Sequence, residues 1–212
     1  MVKRNYLVRR YSALNKFFIL INIFFLLCAN IFASEDENKI AILVNDNVIT
    51  NYDIEQRVKI FAISNQIQLS ADNGGTITNK IVDELIDNLL KIEKIEEYKI
   101  EIDSNDLYNY ENQYFNSREI GKEEFLKLIK INNVNEKAFY DMLYNDIAWQ
   151  ILISRLYYRI TSISEEEIKD LVYKNPELTN EMAERIIMDR QLALKSSKML
   201  RDLRSEATIE YK

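Results

Sequence analysis

The stretch "IAILVNDNVITNYDIEQRV", from Ile40 to Val58, decides the fold. Its first five residues are apolar without a break, which reads as a short strand. Asn45, Asp46 and Asn47 then interrupt it. Asn and Asp tolerate positive φ and bond back to their own backbone, so "NDN" has the chemistry of a turn. "VIT" (48–50) reads as a short returning strand. Thr50 is followed three residues on by Asp53, close to the capping-box pattern. The hairpin should therefore run straight into a helix over 51–63, with Ile54, Val58 and Phe61 on one face. Losing the Thr50 cap should cost about 1 kcal/mol.

Upstream of this stretch the character changes. "MVKRNYLVRRYSALNK" carries Lys3, Arg4, Arg9, Arg10 and Lys16 and no acid, and "FFILINIFFLLCANIFA" (17–33) follows. A basic segment, an apolar run and a small residue make a secretory signal over 1–33, cleaved near Ala33–Ser34. Three rival readings compete with it. The run of 17 residues sits at the short end of the roughly 20 that span a bilayer, so an uncleaved inner-membrane anchor is the main alternative. Cys28 raises a lipid-modified cysteine, but the large Leu27 precedes it. "RR" at 9–10 resembles a twin-arginine signal, but "YSA" after it lacks the usual apolar pair. The acidic "SEDENK" (34–39) reads as a solvated spacer.

Removing the leader takes the formal net charge from −6 to −11 and removes the only cysteine. An acidic exported chain argues against nucleic acid and anionic lipid as main partners, leaving the membrane only to an uncleaved leader. Without disulfides, the remainder must be held by its core alone.

Three glycines and one proline in 212 residues favour helices over a many-turned β fold. Residues 64–78 read as a loop centred on Gly74 and Gly75. The next helix should start at Thr78 or Asn79 and reach about Tyr98. Ile81, Leu85, Leu89 and Ile92 form one stripe on it, and Val82, Ile86 and Leu90 a second, so it should pack on two sides. Ser104 is placed as the cap of the following helix, and Gly121 separates that helix from "KEEFLKLIKIN". Asn135 should open the longest helix, 136 to about 160, which is apolar around most of its circumference and central to the bundle. Ser164 caps a helix that ends before Pro176. A last helix runs from about Asn180 to Arg204. "ATIEYK" (207–212) alternates like a half-buried strand. One hairpin alone is marginal, so this strand is expected to pair with the N-terminal hairpin and staple the two ends. The expected fold is mainly α: a helical bundle with a small sheet, divided as a module over 40–175 and a helix and strand over 176–212 that complete the same core.

Four phrases in this order resemble SurA-type periplasmic chaperones. "IAILVNDNVITNYDIEQRVKIF" is similar to the start of the mature family, "IVDELIDNLLKIEKIEEYKIEIDSNDL" to its next helix and link, "LYYRITSISEEEI" to the close of its N-terminal module, and "ERIIMDRQLALKSSKMLRDLRSEATIEYK" to its C-terminal helix and strand. The likeness covers Lys39 to Lys212. The chain departs from the family in one large respect. Members carry one or two parvulin-type prolyl isomerase domains between module and C-terminal helix, where this chain has only "YKNPEL" (173–178). The resemblance implies a chaperone core that holds unfolded outer-membrane β-barrel proteins, or aromatic-rich extended peptides, without isomerising them.

The residue types agree with a non-enzyme. The chain has no histidine and one cysteine, in the leader, so nucleophilic catalysis and zinc sites built on those residues are out. No glycine-rich phosphate loop supports use of ATP, and no cofactor or metal site is expected. The acids of "SEEEI" (164–168) suit a helix N-terminus, where they complement its dipole. "NDN" lacks the spacing of a calcium loop. Aromatics are the more informative feature. Most should be core, while Tyr108, Tyr114, Phe115, Met142 and Tyr144 mix with polar neighbours and are the candidates for a client-gripping groove. Ring faces and thioethers suit promiscuous binding because they impose little geometry. Client affinity should be modest, on the order of micromolar, since a tighter grip would prevent release without an energy source. Arg185, Arg190, Lys195, Lys198, Arg201 and Arg204 on the last helix should offset the acidic helices or stay solvated. The alternative to a chaperone is a non-chaperone periplasmic or membrane-anchored interaction module that keeps the fold.

Overall fold

The computed structural model describes residues 39–212, so the signal and anchor readings lie outside the described residues. β1 (Ile40–Val44) turns through Asn45 and Asp46 into β2 (Asn47–Thr50), and the pair is antiparallel with Val44 opposite Asn47. Asn45 sits at φ 52°, the left-handed conformation that Asn tolerates better than most residues. Its side chain answers a second purpose. Asn45 Nδ2 donates to the Glu93 carboxylate at 3.1 Å, and Asn47 Nδ2 donates to Glu93 Oε1 at 2.8 Å. Asn45 also exchanges two bonds with Thr208, donating its N–H to the carbonyl at 2.9 Å and accepting that residue's N–H on Oδ1 at 3.0 Å. The polar interruption is therefore both a turn and a clamp on the C-terminal segment.

That segment, β3 (Ile209–Tyr211), lies antiparallel on the other side of β1, giving the strand order β2-β1-β3. The expected staple is present. Val44 pairs with Ile209, and Ile42, Val44 and Ile49 bury their side chains with Ile86, Leu90 and Leu203.

Seven α-helices follow β2: α1 (Asn51–Ser64), α2 (Ala71–Glu97), α3 (Ser104–Asn116), α4 (Lys122–Ile131), α5 (Glu136–Tyr157), α6 (Glu165–Lys174) and α7 (Asn180–Glu206). Thr50 and Asp53 form the full capping box at the start of α1. The buried face of α1 differs from expectation. Gln56, Ile60 and Ser64 are its inner residues, while Ile54, Val58 and Phe61 are only half-buried. The reason is that two polar residues have internal partners: Gln56 Oε1 accepts the Asn135 N–H at 2.7 Å, and Ser64 Oγ bonds the Tyr114 hydroxyl at 2.6 Å.

The expected loop over 64–78 is short instead, and α2 begins at Ala71 with Gly74 and Gly75 inside it. Ser70 and Asn73 cap it, the Ser70 N–H donating to Asn73 Oδ1 at 2.8 Å. Both glycines keep negative φ, at a cost near 1 kcal/mol each relative to alanine. The two stripes of α2 behave as expected, with Ile81, Ile86 and Leu90 fully buried and neighbours on α1, α5, α7 and the sheet. Asp103, not Ser104, caps α3. α5 is central but not longest: it spans 22 residues, ends at Tyr157 in a 3-10 turn over Tyr158–Ile160, and is shorter than α2 and α7 at 27 each.

Two further clusters complete the core of Ile40–Lys212. One is aromatic: Tyr114, Phe115, Phe125 and Phe139 meet edge-on or tilted, with Phe125 and Phe139 centroids 4.6 Å apart. Such pairs add about 1 kcal/mol each beyond area burial. The other sets Trp149, Leu152 and Ile153 of α5 against Ile95, Leu192 and Met199, with the Trp149 indole donating to Ser196 Oγ at 2.8 Å.

Candidate functional site

The five sequence-derived candidates do not form one surface. Tyr114, Phe115 and Met142 belong to the aromatic core and are at most 9% exposed. Their packing explains this: Tyr114 touches Phe115, Phe125 and Phe139, and its hydroxyl is already spent on Ser64. Tyr108 on the outer face of α3 and Tyr144 on α5 are exposed, at 61% and 39%. Reading aromatics beside polar neighbours as a groove missed that the Tyr114 hydroxyl has an internal partner in Ser64, 50 residues away.

Exposed apolar side chains collect elsewhere. α6 packs against α7 and makes no comparable contact with any other element. It has no buried residue of its own. The short link 175–179 brings α6 back alongside the first turns of α7, where Ala183 and Ile187 are buried. On this helical hairpin, and on the turn leading into it, Ile160 is 73% exposed and Tyr173 85% exposed, and Tyr158, Met182, Ile186 and Leu194 are exposed too. Next to the hairpin, Ile147, Ile151, Leu192 and Ala193 line a depression of about 550 Å³ between α5 and α7. Isolated exposed apolar residues need no explanation. Here they recur along one arm whose first helix, α6, buries none of its residues.

A second feature is polar. α1, α2, α3 and α5 enclose a half-open cavity of about 680 Å³. Its charged lining is Arg57 on α1, Lys80, Glu84, Asp87 and Lys91 on α2, Arg118 just after α3, and Asp146 on α5. Lys80 pairs with Glu84 at 3.7 Å, and Asp87 accepts from Arg204 Nη1 at 2.8 Å, Arg204 also bridging to Asp83. Arg57, Lys91 and Asp146 have neither a hydrogen bond nor a close ion pair among the described residues. Burial pushes the Asp146 carboxyl above its ordinary value, opposed by the positive charges of Lys91, Arg57 and Arg118. Burial lowers the Arg57 guanidinium, opposed by Asp146 and Glu84. Burial also raises the Tyr110 hydroxyl to about 12.

Sequence reasoning missed this cavity because its charges come from four separate segments. One signal was available. Asp146 lies three residues after Leu143 and three before Trp149, a charge set into the apolar face of the central helix, and Arg57 stands three before Ile60. A charge at core spacing marks either a paired ion or a polar cavity.

Of the six cations noted on the last helix, Arg204 ties α7 to α2, while Arg185, Arg190, Lys195, Lys198 and Arg201 are exposed without an ion pair among the described residues. No described helix is long and apolar enough to cross a membrane, and no group of three or more acids, histidines or cysteines among the described residues could hold a metal ion. In comparisons with known proteins, no family model matches the chain and no curated protein matches it.

Proposed function

We propose that this protein is an ATP-independent periplasmic holdase that binds unfolded outer-membrane β-barrel proteins and lacks prolyl isomerase activity. The observation that carries the reading is the α6–α7 arm, whose exposed Ile160, Tyr173, Met182 and Leu194 are covered by no other part of the described chain. Flexible and aromatic side chains spread along an arm offer a surface that many extended apolar segments can meet without one required geometry. The resemblance of the sequence to SurA-type chaperones, and the leader expected over 1–33, agree with this role and this compartment. With no histidine in the chain, the residue types of a parvulin-type site are missing.

The test is aggregation of a urea-diluted outer-membrane β-barrel protein, followed by light scattering without nucleotide. The purified protein should suppress scattering at near-stoichiometric ratios, and a prolyl-peptide assay should stay at background. Unchanged scattering with a folded sample would sink the proposal. Capture of one defined partner at fixed stoichiometry, with scattering unchanged, would support the interaction-module reading in its place.

A further inference from the structure

We propose that the cavity between α1, α2, α3 and α5 is a binding site for a carboxylate carried on an apolar or aromatic body. The charge balance is the first argument. The lining sets four cations, Arg57, Lys80, Lys91 and Arg118, against three carboxylates, Glu84, Asp87 and Asp146. That leaves a net positive charge of one in a half-enclosed space, where solvent screens it less than at an open surface.

Arg118 supplies the second argument. Its guanidinium stacks on the Tyr114 ring at 3.4 Å, which fixes its plane. Nη1 donates to the Tyr114 carbonyl at 3.0 Å, while Nε is buried with no acceptor. A buried donor without an acceptor is costly, and an acceptor brought by a ligand removes that cost. A planar guanidinium can take a carboxylate in two parallel hydrogen bonds.

Size and walls supply the third. A cavity of about 680 Å³ falls in the usual range for small-ligand sites, roughly 300–1,000 Å³. Phe61, Tyr114 and Met142 line it beside the cations, so the anion's body meets rings and a thioether. The site stands apart from the arm and does not rest on the holdase reading. Two sources share the chemistry: a free organic acid and the carboxyl terminus of a polypeptide.

Calorimetric titration of the purified protein with N-acetylphenylalanine and with its amide tests the idea. The acid should bind at least about tenfold more tightly than the amide, the usual weight of a charge-assisted contact. Arg57→Gln and Lys91→Met should each weaken the acid by a similar factor, and Asp146→Asn, which removes the opposing charge, should tighten it several-fold. Asp146→Asn keeps the test decisive where an arginine variant fails to fold, because it keeps the shape of the side chain and every cation of the site. A short peptide ending in free phenylalanine that binds better than 3-phenylpropanoate would assign the site to polypeptide, and the reverse to a free acid. Equal binding of acid and amide, no binding up to about 10 mM, or an Asp146→Asn variant that binds the acid more weakly would overturn the proposal.

Discussion

The body and the arm are built from the same residue types and end in opposite states. In the body, α5 meets α1, α2, α3, α4 and α7, and its Phe139, Leu143 and Leu152 are wholly buried. In the arm, α6 packs mainly on α7 among the described residues and buries none of its own. Yet α6 is capped as well as any helix here, by a Ser164–Glu167 box with three acids in its first turn and Lys174 in its last. Good caps and dipole complementarity can hold a short helix together while it leaves its apolar side chains to water. The difference teaches that burial, not local signals, separates the part of this chain that makes the core from the part that leaves its apolar side chains exposed.

Substitutions should split along that line. Phe139→Ala in the body should have the largest effect, about 4 kcal/mol of lost stability by urea denaturation, because a wholly buried ring leaves a cavity among four aromatic neighbours. A loss under 1 kcal/mol would show that the aromatic cluster repacks and that the body is looser than described. Asn45→Ala should cost about 2 kcal/mol, from the left-handed φ and the bonds to Thr208 and Glu93 together. Hydrogen exchange should then show β3 opening ahead of the helices.

Asp146→Asn sharpens the comparison from the other side, since it should stabilise the body. The folded carboxyl is raised by burial, so its contribution is fully present below the unfolded value of 3.8 and is lost as pH rises through the folded value. The variant should therefore have a higher Tm than the parent at neutral pH, with the gap closing toward pH values below that range. A gap that widens on acidification would contradict this. Ile160→Ser and Tyr173→Ser should be the smallest effects on stability, within about 0.5 kcal/mol each, as expected for exposed positions, and yet should impair client holding.

How much of this was legible depends on whether a residue's role is local. The hairpin, the capping boxes at Thr50 and Ser164 and the stapling by "ATIEYK" follow from turn chemistry, spacing and alternation, and each was readable. The start of α2 was not, because two adjacent glycines outweigh a Ser70–Asn73 cap on local propensity, while Ile81 and Ile86 packing decides the outcome. The burial of Tyr114, Phe115 and Met142 was not legible for a related reason. Whether Tyr114 faces water or Phe139 depends on α3 meeting α5, and no pattern within "NDLYNYENQYFN" carries that contact. Conversely, Tyr173 and Met182 look like ordinary amphipathic-helix residues in the sequence, and they are exposed because, among the described residues, no third helix lies beside α6 and the start of α7.

The most direct test of the central claim compares the parent protein with a variant carrying Ile160→Ser, Tyr173→Ser, Met182→Ser and Leu194→Ser, at matched helical content by circular dichroism. Both are added without nucleotide to a urea-diluted outer-membrane β-barrel protein while light scattering is followed. The parent should suppress scattering near stoichiometry, and the variant should need several times more protein for the same effect. Equal suppression by both would contradict the assignment of client binding to the arm, and no suppression by either would contradict the holdase itself.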